Sequence, residues 1–332
     1  MEESKKELER VAAMSDSDDD SVVKVNPRFQ SEYNEWKKKC PFFYDFIISH
    51  PLPRTSLTVH WSTMTPLTHP HVPSLALHRL LFNSYCRRTR TSYLRVTNAP
   101  LPTVDYGPIP ILPKVEVNQN LVLDSRLAMA RFMPQNPNIV GVRTQSTDVY
   151  FHPDVRLTGF AHNVHGHGGA GLAWNEKREG YILSSKVHNL SFHPYNEWIV
   201  ATASSDETVR LFDMRKLREK IYNLGGHTDK VSKVEWNPNK GSVLASCGDD
   251  RRVIVWDINR IGDEILRGES KAKCPSGLLF SHEGHKDKVT DFSWNEHEPW
   301  VISSVAKDGT LQVWKLAQSI RGEDHGGRAI DE

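Results

Sequence analysis

Three windows of the chain are laid out on one ruler. From Val231 an aromatic residue, Trp236, lies five positions on, Asp250 nineteen on and Trp256 twenty-five on. From Val289 the same steps reach Trp294, Asp308 and Trp314, and from Val187 they reach Phe192, Asp206 and Phe212. A repeat of this kind decides a fold before single elements are read, because each unit must bury its apolar face on its neighbours. In the best-kept unit, Gly226 to Asp257, Val231 to Trp236 alternates apolar and polar as a half-buried strand, and Asn237 to Gly241 carries turn residues. Val243 to Cys247 is a short apolar strand, Cys247 to Arg251 turns again, and Val253 to Trp256 is a third strand.

Such small sheets need polar side chains to pin their turns. His227, Asp250, the strand hydroxyl of Ser246 and the Trp256 indole N–H, which can only donate, form a candidate hydrogen-bond chain. His285, Asp308 and Trp314 hold the same places in the following unit, so all six repeat positions read as structural. The unit from Val187 has no preceding Gly-His pair, and Phe212 has no N–H to donate, so its blade is expected to be the looser one. The fold class is all-β, a WD40-type β-propeller with an N-terminal α-helix packed on its side.

One unit stops short. Gly169 stands where Val231 does, Trp174 supplies the first aromatic, and Tyr181 to Ser185 overlays Val243 to Cys247. An aspartate is then due at 188 and an aromatic at 194, but the chain has His188 and Pro194, and Lys186-Val187 already opens the next unit. The third and fourth strands of a blade spanning 165–185 are therefore absent, which leaves about five and a half blades. His162, His165 and His167 lie among glycines here without an acidic or cysteine ligand at a useful spacing and without a strand–helix frame. A metal site and a phosphate loop are both excluded on that ground, and His165 or His167 reads as the Gly-His of the short unit.

Composition bounds the rest. With 332 residues, 38% apolar, 25% charged and a formal charge of +1, the chain reads as soluble, with no bulk attraction to nucleic acid and no membrane contact. No run has the length of a membrane span or a secretory leader, and Cys40, Cys86, Cys247 and Cys274 lack metal-type spacing, so an intracellular, reduced chain is expected. No paired carboxylates, hydroxyl–His–Asp set or nucleotide loop occurs in a supporting context, so the expectation is no enzyme and no cofactor.

Residues 1–25 hold an acidic run, Asp16 and Asp18 to Asp20, and read as a solvated tail. Ser15 and Ser17 each have an aspartate three residues on, which suits an acid-directed kinase or an unmodified tail equally. A helix over 26–50 is expected, with Asn26 as cap and Pro27 at the first helical position. Phe29, Tyr33, Trp36, Cys40, Phe43 and Ile47 form its apolar stripe, and Pro41 should kink or divide it. The propeller is assigned to 51–320 and a disordered tail to 321–332. Arg87, Arg88, Arg90 and Arg95 read as a solvated loop, and Pro100 to Pro113 as an extended connector.

At residues 31–61, SEYNEWKKKCPFFYDFIISHPLPRTSLTVHW, the chain resembles the nuclear histone-binding WD-repeat family. These are the retinoblastoma-binding and MSI-type proteins that serve as the small subunit of chromatin assembly factor. ARFMPQNP at 130–137, NEWIVATASSDETVRLFDMRKL at 196–217, VLASCGDDRRVIVWDINRIGDE at 243–264 and DFSWNEHEPWVISSVAKDGTLQVWKLAQSI at 291–320 extend the likeness in the family's order, closest to the plant MSI branch. Against that family roughly 60 to 70 residues are missing near Ser185-Lys186, about one and a half repeats. Either the ring re-closes with fewer blades, or the chain is a shortened or decayed copy with exposed strand edges.

The resemblance implies a non-catalytic, nuclear histone-binding scaffold whose partners are histones and subunits of chromatin assembly, deacetylase or Polycomb-type complexes. It implies a side groove for a histone H4 helix, walled here by Phe42, Phe43, Ile47, Leu278, Leu279 and Phe280. The family's acidic loop beside that groove is replaced by Glu269 to Gly277, which brings Lys271 and Lys273. On the top face, where the family places acids that take the H3 tail, this chain has Arg126, Gly168, Lys186, Lys230 and Lys307, so H4 is favoured over H3. A second reading comes from Phe212-Asp213-Met214-Arg215, which resembles the Trp-Asp-x-Arg ending of cullin-ligase substrate adaptors. In that reading Asp213 and Arg215 meet the ligase linker; in the other, Arg215 is an ordinary surface residue.

Overall fold

The computed structural model describes residues 27–86, 89, 91–103, 116–123, 126–144, 148–153, 162–163, 171–174, 182–185, 189–216, 218–261 and 277–321. The tails, Lys186, Lys271, Lys273 and three of the four clustered arginines (Arg87, Arg88 and Arg90) lie outside these. Arg95 is half-buried in a strand.

Helix α1 (Pro27–Phe43) is followed by β1 (Tyr44–Pro51). The first blade holds β2 (Val59–Trp61), β3 (Leu67–Thr68), β4 (Leu75–Cys86), β5 (Thr91–Pro102) and β6 (Glu116–Leu123). The second holds β7 (Leu127–Phe132), β8 (Ile139–Thr144), β9 (Asp148–Pro153) and β10 (His162–Asn163). A two-stranded sheet follows, β11 (Gly171–Trp174) with β12 (Ile182–Ser185). Next come β13 (Asn189–Phe192), β14 (Ile199–Ala203), β15 (Thr208–Asp213) and β16 (Lys220–Gly225), then β17 (Val231–Trp236), β18 (Val243–Gly248), β19 (Val253–Asp257) and β20 (Leu278–His282). The last repeat supplies β21 (Val289–Trp294), β22 (Val301–Ala306) and β23 (Thr310–Leu316), and α2 (Gln318–Arg321) ends the described chain.

Two expectations need correction. The N-terminal helix does not reach residue 50: it ends at Phe43, and Tyr44–Pro51 pairs antiparallel with β23, Ile47 opposite Trp314 and Ile48 opposite Val313. Tyr44 and Phe46 are buried in alternation, a period of two that the helical reading of Phe43 and Ile47 overlooked. Pro41 sits in the last turn without dividing the helix, where its missing N–H removes only one late bond. The second correction concerns Pro100 to Pro102, which end β5 in register with β4 and are sheet, not connector.

β1 makes the last sheet four-stranded, in the order β1-β23-β22-β21, so the two ends of the propeller chain share one blade. The sheets do not merge into one closed sheet. Their inner strands instead pack side by side in a circuit: β2 lies beside β7, β7 beside β11, β11 beside β13, β13 beside β17, β17 beside β21, and β21 beside β2. The short blade therefore keeps a place in the circuit with two strands. Four apolar clusters fill the spaces between neighbouring sheets.

A buried charge cluster ties inner strands together across the axis. Arg131 on β7 grips Asp291 on β21 with two hydrogen bonds, 2.9 and 3.0 Å, and Lys233 on β17 reaches the same carboxylate at 3.0 Å. Lys233 also pairs with Glu235 at 2.5 Å, and the Val59 N–H of β2 donates to Asp291 at 2.8 Å. Burial pushes the Asp291 pKa up, but the two cations outweigh it and hold it below the usual carboxylate range.

In the β17–β20 blade, His227 Nδ1 is 2.8 Å from Asp250, His227 Nε2 is 2.7 Å from Ser246 Oγ, and Trp256 Nε1 donates to Ser246 Oγ at 2.8 Å. One proton arrangement satisfies them all: indole to hydroxyl, hydroxyl to Nε2, and Nδ1–H to carboxylate. In the last blade Trp314 donates to Ser304 at 3.3 Å and Ser304 meets His285 Nε2 at 2.8 Å, but His285 Nδ1 is 3.6 Å from Asp308 and 3.1 Å from the Thr310 hydroxyl. Thr310 passes the link on, donating to Asp308 at 2.6 Å.

Candidate peptide groove beside the N-terminal helix

Helix α1 is fastened to the propeller through Trp36, the one helical residue it buries. The Trp36 indole donates to the Tyr44 hydroxyl at 3.0 Å, and that hydroxyl meets His282 Nδ1 at 2.7 Å. Since the hydroxyl accepts from the indole, its own proton goes to Nδ1 and the imidazole proton sits on Nε2. Burial holds His282 neutral, its pKa well below the usual value, and its ring stacks on Trp314 at 4.5 Å. Gly284 is required underneath: a Cβ there would stand 2.6 Å from Trp36 Cζ2 and 2.5 Å from Gln312 Oε1.

Two cations secure the outer turns of the helix. The Arg251 guanidinium lies 3.7 Å from the Phe29 ring centre and 2.9 Å from Glu32, and the Lys286 ammonium lies 4.3 Å from the Tyr33 ring centre. Beyond the propeller, α2 folds back so that Arg321 pairs with Asp45 at 2.5 Å and the Ala317 N–H donates to the Phe43 carbonyl.

Between the C-terminal end of α1 and β20 runs an apolar strip. Phe43, Ile47, Leu279 and Ile320 are half-buried against one cluster that contains Phe280, whose ring stands T-shaped to Phe43 at 6.0 Å. Leu278 packs instead against the neighbouring cluster, and Phe42 packs in neither, with 74% of its surface exposed. Sequence reasoning missed Ile320 and α2, whose only signal was an apolar residue beyond the last strand. It also missed the Tyr44–His282 contact, which joins residues 238 positions apart.

On the opposite rim, Arg126 is exposed and stacks 5.2 Å from the Tyr85 ring, Lys230 is half-buried and Lys307 is exposed. The Lys307 N–H donates to the carbonyl of Lys288, which stands before β21 as Lys230 stands before β17 and was not singled out in the sequence. Lys288 pairs with Asp249 at 2.6 Å, which raises its pKa, and Asp229 and Asp287 stand nearby. Acids thus interleave with the bases on this part of the rim. Asp213 and Arg215 lie elsewhere: Arg215 makes three side-chain hydrogen bonds to Asp213 and its guanidinium stands 5.5 Å from the Trp198 ring.

Blades of this repeat spacing around one circuit, with a helix seated on the side, define a WD-repeat β-propeller. A WD domain, G-beta repeat model matches residues 177–213, 218–257 and 276–315, and a family described as histone-binding protein RBBP4, or the corresponding member of the CAF1 complex, matches 31–103. WD-40 repeat-containing protein MSI3 of Arabidopsis thaliana is 38% identical over 392 residues, covering 89% of this chain and 91% of that protein. Histone acetyltransferase type B subunit 2 of Debaryomyces hansenii is 23% identical over 388 residues, covering 90% and 93%. The chain belongs to the histone-binding WD-repeat family of RBBP4 and MSI type. Both alignments run longer than its 332 residues, so these relatives contain stretches that it lacks.

Proposed function

We propose that this protein is a non-catalytic chromatin scaffold of the nucleus that holds a histone H4 helix in the strip between α1 and β20. The observation that carries the reading is the docked helix itself: Phe43, Ile47, Leu279, Phe280 and Ile320 form a continuous apolar wall with Phe42 exposed beside it. An amphipathic helix laid against such a wall would bury its apolar face, the helix-in-groove mode. The same face suits assembly into histone acetyltransferase, chromatin-assembly or related complexes. H3-tail binding at Arg126, Lys186, Lys230 and Lys307 is disfavoured by like charge.

The test is titration of the full chain with an H4 helix peptide, comparing it with Phe42→Glu. Phe42 is 74% exposed, so the variant should melt with the parent while losing about tenfold or more in affinity. Equal binding by the variant, or none by the parent, would remove the groove reading. The ligase-adaptor reading gains no support, since the contacts of Arg215 with Asp213 and Trp198 account for its position without a partner.

A further inference from the structure

The short blade leaves a feature that the histone reading does not use. β12 ends at Ser185 and β13 begins at Asn189, so three residues join the second strand of one blade to the inner strand of the next. In the β13–β16 and β17–β20 blades two further strands intervene at that point. The chain therefore has no length there from which strands three and four could come, and β12 pairs on one side only among the described residues. Neighbouring strands lie about 4.8 Å apart, so the four-stranded sheets on either side stand roughly 10 Å beyond β12 and wall a notch two strands wide.

The wall of the notch differs from its counterparts. Trp198 precedes β14 as Trp300 precedes β22, yet Trp300 is 2% exposed and Trp198 is 44% exposed. Trp300 is covered from the preceding blade, where the ammonium of Lys240, in the β17–β18 turn, stands 5.2 Å from its ring centre. Met214 donates its N–H to the Trp198 carbonyl as Ile258 does to Ser242 one blade on, yet Ile258 is packed in a cluster and Met214 is 40% exposed. An indole and a thioether thus lie bare on the blade that follows the notch.

We infer that the free edge of β12, with Trp198 and Met214 beside it, is a strand-addition site that takes an extended apolar segment of a partner protein as a third strand. Backbone hydrogen bonds to β12 supply the pairing, and the two bare side chains receive apolar residues of the added strand. Ile182 to Ser185 carry no charge and no proline, so nothing in the strand itself guards its edge. A second copy does not fit, because its own flanking blades would meet these walls before two β12 edges could touch. The chain's tails are poor candidates: 1–26 is rich in acids and lysine, and 322–332 in glycine and acids. The matching chemistry is that of the chain's own third strands, such as Val253–Asp257, which alternates and ends in Trp-Asp.

The probe is a synthetic peptide of residues 251–258, Arg-Arg-Val-Ile-Val-Trp-Asp-Ile, added to the full chain and followed by amide hydrogen exchange. Saturable binding that slows exchange at 182–185 by about tenfold, is weakened about tenfold by Met214→Lys and vanishes when alternate peptide nitrogens are methylated is the expected result. A blue shift in emission that Trp198→Phe removes places the peptide against the wall. No binding at about 1 mM peptide overturns the inference, as does binding with unchanged exchange at β12. Exchange already slow in the free monomer shows that the chain covers its own edge, and protection that rises with protein concentration alone shows a second copy; either also overturns it.

Discussion

The β17–β20 and β13–β16 blades obey the same spacing and differ in what fills it. In the first, β19 buries Val253, Ile254, Val255 and Trp256, and the Trp256 indole enters the relay through Ser246 and His227 to Asp250. In the second, β15 alternates between buried and half-buried residues, Phe212 is half-buried, and Asp206 is exposed, answered only by Thr208 and Arg210. Apolar alternation is thus enough to lay down a blade. Tying its turn to its centre takes a donor, a shuttle hydroxyl and a histidine together, and the loss of the indole and histidine leaves the aspartate to solvent.

The arc of the ring that holds the relays also holds the buried charges, and the largest effect is expected there. Asp291→Ala leaves Arg131 and Lys233 buried without their shared carboxylate, a loss of about 3–5 kcal/mol. Urea unfolding should show the midpoint falling accordingly; a shift comparable with that of an exposed Asp206→Ala would mean that the cluster does not join the arc. Next comes Asp250→Ala, which strips the partner from His227 and costs about 1–3 kcal/mol, against about 0.5 kcal/mol or less for Asp206→Ala. Equal losses at the two sites would erase the distinction between the blades.

How far this was legible in the sequence follows the same division. Where the repeat ruler applies, it gives the strands and puts His227, Ser246, Asp250 and Trp256 in one line, because local spacing dictates which side chains face each other. It is blind where partners are remote. Tyr44–Pro51 looked helical since its apolar residues fit either period, and only the edge of β23, more than 260 residues on, makes it a strand. Lys233 reads as a solvent-facing member of an alternating strand, yet it is buried because Asp291 and Glu235 converge on it. The groove was legible in its apolar residues but not in its fastening, which depends on Tyr44, His282 and Gly284 meeting around Trp36.

Acid should separate the two blades more gently. Burial pushes the Asp308 pKa up, but the His285 hydrogen bond and charge, with Thr310 and the Lys286 N–H, outweigh it and hold the group at about 2. A depressed carboxylate adds stability above its unfolded pKa near 3.9 and loses it as pH falls through the folded value, so the window is about pH 4 to 2. Asp250 is depressed through His227 in the same direction. Urea midpoints should fall over that window, and Asp308→Asn should flatten the slope more than Asp206→Asn, whose carboxylate is exposed and screened.

The turns themselves offer a smaller contrast. Glu207, Arg251 and Gly309 occupy one position in three successive blades with φ of 68°, 70° and 74°, a left-handed conformation that favours glycine. Glu207→Gly should stabilise the loose blade by up to about 1 kcal/mol, read as a rise in melting temperature. Arg251→Gly relieves the same strain but gives up the contacts with Phe29 and Glu32, so it should gain less and should speed amide exchange in α1. A larger gain at Arg251 than at Glu207 would show that the arginine does not hold the helix.

The smallest effect concerns the rim, where this chain has Lys230 and Lys288 beside Asp229, Asp249 and Asp287. Lys288 is already engaged by Asp249, and Lys230 lends Asp249 only its backbone carbonyl, so a reversal at Lys230 changes the local field most directly. Lys230→Glu should strengthen binding of a basic H3-tail peptide, and an exposed pair contributes about 0.2–1 kcal/mol, so the gain is at most about fivefold at low salt. Raising the salt shortens the screening length to about 8 Å at 0.15 M and about 3 Å at 1 M, and the gain should fade over that range. A gain that persists at high salt would point to a direct contact at Lys230, and no gain at low salt would mean that the interleaved acids, not the lysine, set the charge that an approaching peptide meets.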